Sequence, residues 1–173
     1  MLVIFLILLS VGKFKKLGLS KSNLTSYDSQ NSSCAIFNSS IGNTTSSNPC
    51  FSNADLINLV GDIFSFPSEA AIEWVLSKLR ATGIPFIYIA GNHDWHYEGM
   101  KGDLESLRDT WIEKRLQPLY KGNHHLMAAY DIKGIRFLAI DNSTYQINEE
   151  QLAFISAQIR TGLPLVLLVH IPM

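Results

Sequence analysis

Asp62, Asn92, His93 and His170 bring a carboxylate, a carboxamide and two imidazoles to this chain, and each stands just past the end of an apolar run. Asp62 follows Leu56 to Val60, Asn92 and His93 follow Phe86 to Ala90, and His170 follows Leu165 to Val169. Asp141, after Arg136 to Ile140, has the same placement. If these runs are neighbouring strands, their carboxyl ends border the crevice in which open α/β sheets bind ligands, and four separate segments converge there. The donor set suits a hard or borderline metal centre: a carboxylate able to bridge two cations, an amide oxygen and an imidazole nitrogen. Gly61 and Gly91 precede Asp62 and Asn92, where a strand hands over to a loop and the backbones must approach closely. Asp141 opens the turn-forming Asp141-Asn142-Ser143, so a turn role is the stronger reading and it stands outside the candidate site.

The elements that would position these side chains alternate strand and helix. Leu56 to Val60 is a short strand. Ser68 to Ala81 carries Ile72, Val75, Leu76 and Leu79 at helical spacing and ends at Gly83. Pro85 to Ala90 is a second strand, apolar on both faces and so interior to a sheet. Asp103 to Arg115 predicts a helix capped by Asp103 with Leu104, Leu107 and Trp111 on one face and Pro118 just past its end. Leu126 to Ile132 and Ile135 to Ile140 flank Lys133-Gly134 as an antiparallel hairpin, giving a mixed sheet. Asn148 to Arg160 predicts a helix with Gln151 completing its cap and Leu152, Ile155 and Ile159 facing the core. Leu163 to Val169 is the last strand.

The chain has 173 residues, enough for one domain, and a formal charge of −1 with no basic stripe, which argues against a nucleic-acid footprint. Three regions are expected. Residues 55–173 form the α/β domain. Residues 20–54 are a Ser-, Asn- and Thr-rich tract too polar to pack a core. That tract holds the glycosylation triplets at Asn23, Asn31, Asn38 and Asn43, with a fifth further on at Asn142, and also Cys34 and Cys50, which would close a disulfide in an oxidising compartment. Residues 1–19 open on an apolar stretch, Met1 to Gly12, followed by Lys13, Lys15 and Lys16, too short to span a bilayer comfortably. Two readings of it stand side by side: the apolar region of a signal peptide ending near Ser10-Val11-Gly12, and a buried strand or a wrongly placed gene start. The signal-like start, the triplets and the cysteine pair together point to the secretory pathway, with membrane attachment through the apolar start. Oligomeric state has no signature in the sequence.

Gly61-Asp62, Gly91-Asn92-His93-Asp94 and Val169-His170-Ile171-Pro172, in this order and each at a strand end, make the chain resemble the calcineurin-like metallophosphoesterases. The resemblance runs roughly from Asp55 to Met173. It implies a layered α/β sandwich with mixed sheets that hydrolyses phosphate mono- or diesters. The implied cofactors are two divalent cations, with Mn, Fe or Zn compatible, which clamp the attacking and leaving oxygens. It makes Asp62 the bridging ligand, Asn92 and His170 ligands of one metal, and His93 the group that stabilises the phosphoryl transition state or protonates the leaving oxygen. Asp94 would orient the His93 imidazole and raise its basicity.

Two family motifs are missing. No Gly-His-x-His follows His170, and no Asp-x-His precedes Gly61, where Asp28-Ser29-Gln30 is the nearest, chance-level match. The expectation is an incomplete dinuclear site on a sheet without its later strands, as in a fragment of an enzyme, which would expose apolar surface or a sheet edge. The alternative is a non-catalytic phosphoesterase-like binding or interaction domain. A nucleotide-binding α/β domain is disfavoured because no Gly-x-Gly-x-x-Gly follows a strand. His96, with Trp95 and Tyr97, could wall a pocket or serve loop packing. His124 and His125 are expected in solvent.

Overall fold

Two mixed sheets packed face to face carry the site residues at one end. The computed structural model describes residues 54–97 and 99–172, and the backbone alone of residues 3–6 and 10–12. The strands are β1 (Val3–Leu6), β2 (Ser10–Gly12), β3 (Leu56–Val60), β4 (Phe86–Ile89), β5 (Met127–Ile132), β6 (Ile135–Ile140) and β7 (Leu165–Leu168). The first sheet has the order β1-β7-β6-β5 and the second β2-β3-β4. β3 and β4 run parallel, as do β6 and β7, so their carboxyl ends lie at a common edge of each sheet.

Residues two apart on a strand face the same way, and this period separates the apolar side chains into layers. Leu56, Val60, Ile87 and Ile89 meet Phe137, Ala139 and Leu168 between the sheets. On the other face of β3 and β4, Ile57, Leu59, Phe86 and Tyr88 pack under α1 (Glu69–Thr82), which contributes Ile72, Val75, Leu76 and Leu79. On the outer face of β6 and β7, Leu138, Ile140, Leu165 and Leu167 lie under Phe154, Ile155 and Ile159 of α4 (Glu149–Ile159). The result is a helix, sheet, sheet, helix sandwich, the layered α/β class that the sequence implies.

Local chemistry sets the ends of these elements. Ser68 caps α1 by accepting from the Ala71 amide at 3.1 Å, and Gly83 closes it in the left-handed region at φ 66°. The Asn148 and Gln151 side chains bond reciprocally to each other's backbone amides at the start of α4. Lys133 and Gly134 join β5 to β6, both with positive φ (51° and 79°), which matches the twist of a two-residue hairpin turn.

Three expectations are corrected. In α4 the inward face is rotated: Gln151 is buried and Leu152 is exposed. The Gln151 amide lies beneath the helix because its Nε2 donates to the carbonyls of Leu126 and Asp141, at 2.9 and 2.7 Å, joining the start of β5 to the exit of β6. Second, the helix predicted to stop before Pro118 continues past it. After α2 (Leu104–Trp111) the chain takes a π turn, Ile112–Leu116, and then α3 (Gln117–Tyr120). Pro118 sits in the first turn of α3, where its missing N–H is tolerated, and the wide turn keeps Ile112, Leu116 and Leu119 in the core. Third, β7 is not at an edge. β1 pairs with it in parallel from Val3↔Leu165 to Leu6↔Leu168, and β2 runs antiparallel to β3, so the apolar start contributes backbone to both sheets.

The polar tract, with Asn23, Asn31, Asn38, Asn43, Cys34, Cys50 and Asp28-Ser29-Gln30, lies outside the described residues. Among the described residues no helix is long and apolar enough to cross a membrane.

Candidate metal centre

The exits of β3 and β4 touch backbone to backbone. Gly61 and Asp62 both take positive φ, 79° and 55°, which reverses the chain at once after Val60. A Cβ on Gly61 would fall onto Nδ1 of His170 and lie 2.6 Å from Cα and N of Gly91. A Cβ on Gly91 would fall onto the carboxylate and the backbone nitrogen of Asp62. Both glycines are therefore required by close approach, and that approach brings Asp62, Asn92 and the incoming His170 together.

His170 Nε2 lies 3.2 Å from Asn92 Oδ1 and 3.2 Å from Asp62 Oδ1. Its other nitrogen, Nδ1, is 2.9 Å from the Val60 carbonyl. A carbonyl only accepts, so Nδ1 carries the proton in that bond and the lone pair of a neutral ring sits on Nε2. In that neutral form the Nε2 lone pair faces two side-chain oxygens, Asn92 Oδ1 and Asp62 Oδ1. Donors about 2.1 Å from a shared ion, subtending 90–110° there, lie roughly 3.0–3.4 Å apart, so the observed spacing fits a divalent cation. Among the described residues no group of three or more His, Cys, Asp or Glu converges; here the Asn92 amide oxygen completes the trio.

His93 is exposed in the short 3-10 turn Asn92–Asp94, and its backbone amide donates to Asp62 Oδ1 at 3.0 Å. Asp94 is wholly buried and its carboxylate is directed elsewhere than at His93. Oδ1 accepts from the Phe64 amide at 2.7 Å, and Oδ2 from the Gly91 amide and the Tyr88 hydroxyl, each at 2.9 Å. The orienting contact from Asp94 to the imidazole, implied by the resemblance, is thus replaced by a brace between the loop after β3, the body of β4 and the turn that carries Asn92 and His93. Burial raises the Asp94 pKa to about 6 against the lowering effect of these donated bonds.

The residue that the sequence reading misses is Asn142. Its Oδ1 accepts from the amides of His170 and Ile171, each at 3.0 Å, while its Nδ2 donates to the Ile171 carbonyl at 2.7 Å. This clamp, reaching from the exit of β6, fixes the segment from which the His170 ring projects. It also occupies the amide nitrogen of the fifth glycosylation triplet, and Asn142 is buried, so a glycan has no access there. Asp141 makes the expected turn, with Oδ1 accepting from the Ser143 amide and hydroxyl. Trp95 is core rather than rim: it is buried and its Nε1 donates to Ser143 Oγ at 2.9 Å. His125 is partly buried rather than in solvent, stacked on His124 and 3.5 Å from Asp109.

Replacing Asn142 with Ala strips three backbone groups of their partner. Metal affinity is expected to fall about 10- to 100-fold, as for loss of groups that orient a ligand. Calorimetric titration with Mn2+ checks this; an unchanged affinity would mean that packing alone positions His170.

A stretch of 46 residues is 41% identical to a protein of Moraxella catarrhalis (strain BBH18) described as a probable cyclic nucleotide phosphodiesterase, covering 27% of this chain and 17% of that protein. The chain thus matches about a sixth of the length of this curated relative. A family profile described as calcineurin-like phosphoesterase matches residues 36–173, which takes in both sheets' site-bearing strands and every residue of the candidate centre. On that match the chain belongs to the calcineurin-like phosphoesterase family.

Proposed function

We propose that this site hydrolyses phosphate mono- or diesters with a divalent cation held by Asp62, Asn92 and His170. The observation that carries the reading is the meeting of His170 Nε2 with the two side-chain oxygens while Nδ1 is engaged by the Val60 carbonyl. A divalent cation bound there supplies positive charge to a phosphoryl oxygen and makes water a better nucleophile. Mn, Fe or Zn all suit this mixture of donors.

The chain's own residues have separate tasks. Asp62 presents its carboxylate to the cation and takes the His93 amide on the same oxygen, so ligand and turn are held together. His93, exposed beside the ligands, protonates the leaving oxygen or donates to the phosphoryl group as charge builds. Asp94 and Asn142 act on backbone, one beneath the turn and the other beneath His170. The diesterase name of the bacterial relative favours a diester as the first substrate class to test.

A non-catalytic binding role is the second reading. It is supported by the donor set, since His170 Nε2, Asn92 Oδ1 and Asp62 Oδ1 together offer a place for one cation. One experiment separates the two. The Mn2+-loaded chain is assayed on an aryl phosphate diester and monoester, with His93→Ala alongside. Hydrolysis is expected, reduced about 100-fold or more in the variant with Mn2+ affinity nearly unchanged. Mn2+ binding without turnover would favour the binding role, and equal loss of metal and turnover would make His93 a ligand.

A further inference from the structure

Phe66, Tyr97 and Trp111 form a closed triangle of edge-to-face rings, with centroids 5.5, 5.6 and 5.8 Å apart. Each ring comes from a different segment, and two of these segments are the loops that carry the candidate ligands. Phe66 is four residues past Asp62, which bounds their separation at roughly 14 Å. Tyr97 is held nearer than its spacing suggests, because the His96 amide donates to the Asn92 carbonyl at 2.8 Å and folds the chain back. Trp111 at the end of α2 is partly buried against the core and anchors the group.

Phe66 is 49% exposed in spite of these neighbours, yet it is not on a loose loop. Two residues before it, the Phe64 amide is fixed on Asp94; two residues after it, the Ser68 amide donates to the Phe66 carbonyl at 2.9 Å, where α1 begins. A half-exposed apolar ring is thus carried on the same anchored loop as Asp62. Burial against the protein's own core does not account for it, because the core side of the triangle is Trp111.

Resting on the phosphoesterase reading above, we infer that this triangle is a specificity shelf: the open face of Phe66 stacks on an aromatic ring in the alcohol portion of the ester while the phosphoryl group sits at Asp62, Asn92 and His170. The substrate class is then an aryl or nucleoside phosphate rather than a simple alkyl phosphate. Stacking on a pre-placed ring requires little ordering, so its contribution appears mainly in binding.

The test compares adenosine 5′-monophosphate with ribose 5-phosphate by calorimetric titration of the whole Mn2+-loaded chain, after Mn2+ binding itself has been measured. The nucleotide is expected to bind about tenfold more tightly, within the range of base stacking on an aromatic side chain. Phe66→Tyr should keep this preference, and Phe66→Leu, which preserves apolar bulk and keeps the loop folded, should remove it without changing ribose 5-phosphate affinity. Equal affinity for the two phosphates, at any level including none measurable, overturns the shelf; so does a preference that survives in Phe66→Leu. Failure of Mn2+ to bind would instead overturn the site reading on which it rests.

Discussion

Asp62→Asn is expected to weaken Mn2+ binding by at least about 100-fold and to abolish hydrolysis, while leaving the metal-free protein as stable as before. The separation of the two effects comes from the geometry. Asp62 holds a left-handed backbone at φ 55°, a region that Asn enters almost as readily as Asp, so the turn survives. The amide oxygen of Asn can still accept from the His93 amide, which Asp62 Oδ1 does at 3.0 Å. What is lost is the negative charge facing His170 and Asn92. Calorimetric titration with Mn2+ and a metal-free thermal melt read the two halves. An affinity like that of the wild type would falsify the ligand assignment.

Gly91→Ala should damage the site by a purely steric route. Gly91 has φ −95° and ψ 167°, which alanine adopts without strain, and relief of unfolded-state entropy alone would stabilise the variant by about 0.4–1 kcal/mol. The added Cβ, however, meets the Asp62 carboxylate and its backbone nitrogen. Asp62 cannot simply retreat, because Gly61 beside it is in contact with His170. Net destabilisation of about 1–3 kcal/mol is expected, the usual range for an overpacked site, together with lost Mn2+ binding. A urea titration gives the first quantity. A neutral or stabilised variant would show that the two loops have freedom to part.

Much of the architecture was readable because local rules and burial agreed. Strand runs such as Phe86 to Ile89, apolar on both faces, sit between a sheet and a helix layer, and Ser68, Gly83, Asp103 and Asn148 mark helix ends by capping chemistry that involves only near neighbours. Failures arise where a distant partner overrides the local pattern. Gln151 displaces Leu152 from the inner face because two carbonyls 25 and 10 residues away need its amide. Pro118 reads as a stop until the π turn before it is known. Asp94 reads as the companion of its neighbour His93, yet its partners are the Phe64 amide and the Tyr88 hydroxyl. Asn142 was hidden in a triplet whose turn chemistry is genuine, since Asp141 and Ser143 do make the turn while the residue between them grips a segment 28 residues later.

The three candidate ligand atoms are not all on one layer. Asp62 and Asn92 leave the sheet of β3 and β4, and His170 leaves β7 in the facing sheet. A cation there would work as a rivet through the laminate. Because only the assembled layers offer all three donors, an ion at 100 times its dissociation constant would add about 2.7 kcal/mol against any motion that shears or peels the sheets apart. Loaded, the two layers should open together as one cooperative unit at this end, so that the ion would keep the sandwich shut.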